Sequence, residues 1–98
     1  MTSPVSAVEW TDPAIADLRD IDDYWSAYDT ASAERVADLI EAASAFLATM
    51  PRAGPALRRS DARKWLVGAT PYLLIYRVLD DSIQILRVHH GRQDWDAP

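Results

Sequence analysis

The chain has 98 residues, 49% of them apolar and 26% charged, which suits one folded domain and excludes intrinsic disorder. It has no Cys, so a disulfide framework, a thiolate nucleophile and Cys-based zinc are all excluded. The net charge of −5 is unevenly laid out, with ten acids against two Arg over residues 1–51 and eight bases against three acids over residues 52–92. One end or face is therefore acidic and the other basic. An acidic chain lacks the basic footprint of a general nucleic-acid binder, although a small basic site remains open to it. No apolar run approaches the roughly 18 residues of a membrane span. The opening MTSPVSAVEW has neither the basic nor the apolar region of a signal peptide. These features predict a single cytoplasmic domain over residues 1–98, with flexible ends at 1–4 and 93–98.

In chain order, residues 5–10 read as a short strand. Asp12 as N-cap and Pro13 at the first helical position start a helix. Its apolar face is Ile15, Leu18, Ile21, Trp25 and Tyr28, and Asp17, Asp20 and Asp23 occupy the other side. Thr30 can cap a second helix, with Val36, Leu39, Ile40, Ala43, Phe46, Leu47 and Met50 at helical spacing, stopped by Pro51 and Gly54-Pro55. So short a link makes the two helices an antiparallel hairpin. A loop over 51–62 leads to strands at 64–67, 72–79 and 83–89, joined by turns at 68–71 and 80–82. The expected fold is α+β, in the order β-α-α-β-β-β, with the helical hairpin on one face of a small, mainly antiparallel sheet. Strand 72–79 is apolar on both faces, so its second side must meet the loop and tail, a second subunit or another partner.

The chemistry-bearing residues are few. His89 and His90 are adjacent on a strand and point to opposite faces, so they cannot readily chelate one metal, and no other spacing suggests a metal or a cofactor. His90 suits general acid–base work, or a plain backbone hydrogen bond at the sheet edge. There is no nucleophile elbow and no phosphate-binding loop. Arg87 and His89 share a face of their strand, Arg77 lies on the neighbouring strand, and Arg92 follows the strand end. If the faces of the two strands coincide, they could together hold a carboxylate or a phosphate through forked bonds, or they could pair with Asp80, Asp81 or Asp94 of the chain itself. The aromatic residues Trp10, Trp25, Trp65, Tyr72 and Tyr76 mostly fall on predicted buried faces, and Trp95 in the tail is a candidate contact.

The opening VEWTDPAIADLRDIDDYW (8–25), the strand PYLLIYRV (71–78), the acidic turn 80–81 and the ending RVHHGRQDW (87–95) together resemble the ParE branch of the RelE/ParE toxin superfamily. The resemblance implies the toxin half of a bacterial type II toxin–antitoxin pair, of the plasmid-stabilization kind. It implies a poison of DNA gyrase without a catalytic centre of its own, held in a hetero-oligomer by a ParD-like antitoxin. The antitoxin would lay an amphipathic helix and an extended acidic segment over the toxin. Arg77, Arg87 and Arg92 are the expected ion-pair contacts, Tyr72 and Leu74 the apolar ones. Arg92, Gln93, Asp94 and Trp95 are the expected target-binding residues. RelE-like relatives cleave ribosome-bound messenger RNA with basic side chains. This chain has Gly68 where they carry an Arg, and only Lys64 where they carry several Lys. If it were such an endoribonuclease, His90, Arg92 and Arg87 would carry the chemistry. A module that binds the antitoxin without toxicity is the third reading.

Overall fold

The structure, a computed structural model, describes residues 7–58 and 60–91. The elements run β1 (Ala7–Trp10), α1 (Asp12–Ser26), α2 (Thr30–Thr49), β2 (Arg63–Leu66), β3 (Tyr72–Val78) and β4 (Ser82–His90). They form one four-stranded sheet in the order β1-β4-β3-β2. β1 runs parallel to β4, and the other pairs are antiparallel. The expected β-α-α-β-β-β order is the one observed, with both helices packed on one face.

Both helix starts lie one residue earlier than the sequence suggests. Thr11, not Asp12, caps α1: its hydroxyl oxygen accepts from the Ala14 N–H at 3.3 Å. The same hydroxyl donates at 3.0 Å to the carbonyls of Ile85 and Leu86. One side chain thus caps the helix and ties it to β4, which Asp12 could not do. Asp29, not Thr30, caps α2, because its two carboxylate oxygens take the backbone N–H and the hydroxyl of Ser32 at 2.8 and 2.9 Å.

The core lies between the helices and the sheet. α2 turns Ala33, Val36, Ile40, Ser44, Leu47 and Ala48 inward, and the sheet answers with Tyr72, Leu74, Tyr76, Ile83, Ile85 and Val88. Ser44 is tolerated there because its hydroxyl bonds the Glu41 carbonyl at 2.7 Å. Phe46 and Met50, expected on the core face, are exposed. Phe46 instead stacks on Trp65 of β2 at 5.3 Å between ring centroids. Tyr28 lies beyond the end of α1 and is exposed as well.

Loop 51–62 is fastened by Tyr76. The buried phenol accepts from the Gly54 N–H at 3.0 Å and donates to the Pro51 carbonyl at 2.7 Å. A Cβ on Gly54 would run into the Lys64 carbonyl and this phenol, so only glycine lets the loop pass so close to β2.

Candidate partner-binding surface

The face of the sheet away from the helices, the far face, follows from the register. Lys64, Ile75 and Arg87 form one row across β2, β3 and β4. Leu66, Leu73 and His89 form the next. Arg77, Gln84 and Glu9 form a third, reaching β1. This surface mixes cations with aliphatic side chains. Leu66 is 57% exposed, whereas Ile75, flanked by Lys64 and Arg87, is 6% exposed. Loop 51–62 is held by Tyr76 and Arg63, which by register belong to the helix side.

Arg87 and His89 share this face, as the strand period predicts, and the register brings Arg77 to it as well, but the two Arg do not converge. Arg77 Nε donates to Gln84 Oε1 at 2.8 Å. Arg87 reaches the outer edge of β4 and grips Asp17 of α1, through Nε at 2.8 Å and a terminal nitrogen at 3.0 Å. The acid that Arg87 finds is thus on the first helix, not at Asp80 or Asp81. Asp17 also accepts from the Val88 N–H at 2.8 Å. Burial pushes the Asp17 carboxyl up. The bonds from Arg87 and Val88 and the charges of Arg87 and His89 outweigh this, and it titrates below its ordinary value of 3.8. Arg87 is in turn held above its ordinary value, chiefly by its bond to Asp17.

A shift in register puts Arg87 there. Ile75 pairs with Arg87 but Tyr76 pairs with Ile85, so Leu86 is an extra residue, a β-bulge. Without it Arg87 would fall on the helix side and Val88 on the far face. The trace in the sequence is the spacing Ile83, Ile85, Val88, where strict alternation slips by one.

The other candidate residues are scattered. Leu74 is 0% exposed and Tyr72 is buried, its hydroxyl accepting from Trp25 Nε1 at 2.8 Å. Both belong to the core and offer a partner no apolar surface. Leu66 and Leu73, their far-face neighbours in the register, are the accessible aliphatic groups. His90 ends β4 edge-on to the Tyr72 ring, 5.9 Å away between centroids, on the opposite face from Arg87 and His89. Arg92, Gln93, Asp94 and Trp95 lie outside the described residues. Among the described residues no group of three His, Asp or Glu could hold a metal ion.

A second surface lies on the helical hairpin. A cleft of about 440 Å3 between α1 and α2 is lined by Ile15, Leu18, Ile21 and Ile40, with Asp22 and Glu41 among its polar groups. Its apolar floor is the kind of surface on which an amphipathic helix docks.

Comparison with known proteins places this geometry. RelE2, a toxin of Caulobacter vibrioides, is 35% identical over 87 residues, spanning 89% of this chain and 97% of that protein. Y4kP of Sinorhizobium fredii is 33% identical over 88 residues, covering 90% and 91% of the two chains. The solved structure of a chromosomal ParDE toxin–antitoxin system from P. aeruginosa contains a chain of the same fold, with a TM-score of 0.76 at 24% identity over 90% of this chain and 98% of that one. Residues 8–95 match the family of ParE toxins of type II toxin–antitoxin (parDE) systems, and this chain belongs to that family.

Proposed function

We propose that this ParE-family toxin acts by inhibiting DNA gyrase in the bacterial cytoplasm and is neutralised by a ParD-like antitoxin. The observation that carries the reading is that the chain presents two surfaces shaped for protein and no convergent catalytic set among its described residues. The far face offers cations set among aliphatic groups, suited to an acidic, apolar segment in extended form. The α1–α2 cleft suits an amphipathic helix. Arg77 and Arg87 are the ion-pair contacts, joined by Leu66 and Leu73. Arg92 extends the set, and residues 92–95 serve the target.

The second reading, a messenger RNA endoribonuclease, draws on the name RelE2 borne by one relative. Metal-free RNA cleavage needs a base, an acid and cations around one phosphate. His90 and Arg87 stand on opposite faces of the sheet, and Arg87 is already engaged with Asp17. Both observations count against that reading.

The test is a gyrase supercoiling and cleavage assay with purified toxin. Loss of supercoiling or trapped cleaved DNA, reversed by the antitoxin, is expected. Intact gyrase activity at high concentrations of folded toxin, together with cutting of ribosome-bound messenger, would overturn the proposal.

A further inference from the structure

We propose that Asp17 and Arg87 form a ready-made receptor for one carboxylate side chain of the antitoxin, Arg87 as the binding residue and Asp17 as the residue that positions it. The inference rests on the reading that an antitoxin covers the far face.

The receptor arises from unequal strand lengths. β1 ends at Trp10, opposite Ile85, while β4 continues to His90. The outer edge of β4 beyond Ile85 would be bare, and α1 covers it. Thr11 takes the Ile85 and Leu86 carbonyls, and Asp17 takes the Val88 N–H. The Asp17 carboxylate is thereby fixed by backbone on both sides, through its own helix and through β4, and its side chain is only 14% exposed. The bulge at Leu86 turns Arg87 to the far face beside it.

The bonds leave a particular part of the guanidinium open. Asp17 occupies Nε and one N–H of NH2, the side-on fork. The end-on fork, made of NH1 and the second N–H of NH2, takes no hydrogen bond among the described residues, and the Arg87 side chain is 47% exposed. A free Arg loses much rotamer freedom on binding. This one is already held in place with a planar pair of donors directed outward, the geometry that matches a carboxylate.

The neighbours decide between a carboxylate and a phosphate chain. Asp17 neutralises most of the charge of Arg87 at contact distance, which suits a single carboxylate better than a track of phosphates that needs unneutralised cations. Ile75 lies beside Arg87 in its row, and Leu73 and Leu66 lie in the next row on the same face. An extended segment lying along β4 repeats a face every second residue. The fitting antitoxin sequence therefore has an Asp or Glu with an apolar residue two positions away.

A double-mutant cycle on affinity for the antitoxin encoded beside this gene tests the inference. Arg87→Lys keeps the charge and loses the fork. Asp17→Asn keeps an acceptor for Val88 and loses the charge that holds Arg87. Arg87→Lys is expected to weaken binding about 10-fold or more. Asp17→Asn should weaken it about 3-fold to 10-fold, and the double variant should be little worse than Arg87→Lys alone. A purely structural role for Asp17 would instead make the two losses add. The thermal midpoint of each free variant, measured in parallel, reports whether it is folded. Undiminished binding by Arg87→Lys, additive losses, or tighter binding by Asp17→Asn would overturn the receptor. So would single-stranded RNA binding that depends on Arg87 while antitoxin binding does not. Failure of the wild-type chain to bind the antitoxin would instead remove the antitoxin reading on which the receptor stands.

Discussion

On the helix side of β3, Tyr72, Leu74 and Tyr76 alternate into a core closed by α1 and α2. On the far side of the same strand, Leu73, Ile75 and Arg77 alternate onto a surface with cations in two of its three rows. The polar groups of the helix side are satisfied within the chain: Tyr76 by Gly54 and Pro51, Tyr72 by Trp25, Ser44 by Glu41. The far side keeps an exposed Leu66 and an Arg87 with only two of its five N–H donors taken up by Asp17. One strand thus serves stability with one set of side chains and recognition with the other. Substitutions on the two sides should therefore separate folding from binding.

The largest effect is expected at Leu74. It is fully buried at the centre of the sheet, between Trp65 and Val88 in the register. Leu74→Ala should destabilise the fold by about 2–5 kcal/mol, the transfer term plus the cavity. Urea denaturation followed by tryptophan fluorescence measures it. For a domain this small that is a large share of total stability. A loss under about 1 kcal/mol would mean that the helix side is less tightly closed than its burial indicates.

Asp17 joins the two sides, so its effect should be intermediate and pH-dependent. Asp17→Asn removes a charge-assisted fork to a half-exposed Arg while keeping an acceptor for Val88, and should cost about 1 kcal/mol at neutral pH. Because the folded carboxyl titrates below 3.8, the stability it contributes is complete well above that value. It is lost as pH falls through the lower folded value. The gap between wild type and variant should therefore be full at pH 7 and close in acid. A gap that widened in acid would mean the carboxyl is raised, not lowered.

Much of the fold can be read from residue order, because it rests on local signals. The Pro13 and Pro51 punctuation, the helical spacing of Val36 to Leu47 and the period-two run of 72–78 each mark one element. The caps lie one residue before the positions that a local rule favours because Thr11 and Asp29 make bonds to distant or neighbouring groups that such a rule does not weigh. The site was harder to read. Arg87 and His89 sharing a face follows from strand period, but the bulge that brings them to the face of Arg77 does not, and the partner of Arg87 lies seventy positions back, on α1. Nothing in the local sequence links Asp17 to β4; that contact exists because β1 is short and α1 must cover the exposed edge. The sequence does not say which side of β3 the helices take, and Tyr72 and Leu74 lie on the side they cover. Once they cover the even-numbered residues, the odd-numbered ones remain for a partner.

The smallest effect on folding, and the sharpest separation of the two sides, is expected at Leu66. It sits on edge strand β2 with more than half its surface exposed, beside Leu73 in the register. Removing an exposed aliphatic group from an edge strand takes little from the core, so Leu66→Gln should change unfolding stability by no more than about 0.5 kcal/mol. If an apolar antitoxin side chain covers this position, the same substitution should weaken the complex by about 10-fold, since a fully buried Leu contributes roughly 1.5–3 kcal/mol. Denaturation of the free chain and titration with the antitoxin, done on the same preparation, give both numbers. A stability loss above about 1.5 kcal/mol with unchanged affinity would assign Leu66 to the domain's own packing. Intact stability with weakened binding would mark the far face as a surface kept apolar for its partner.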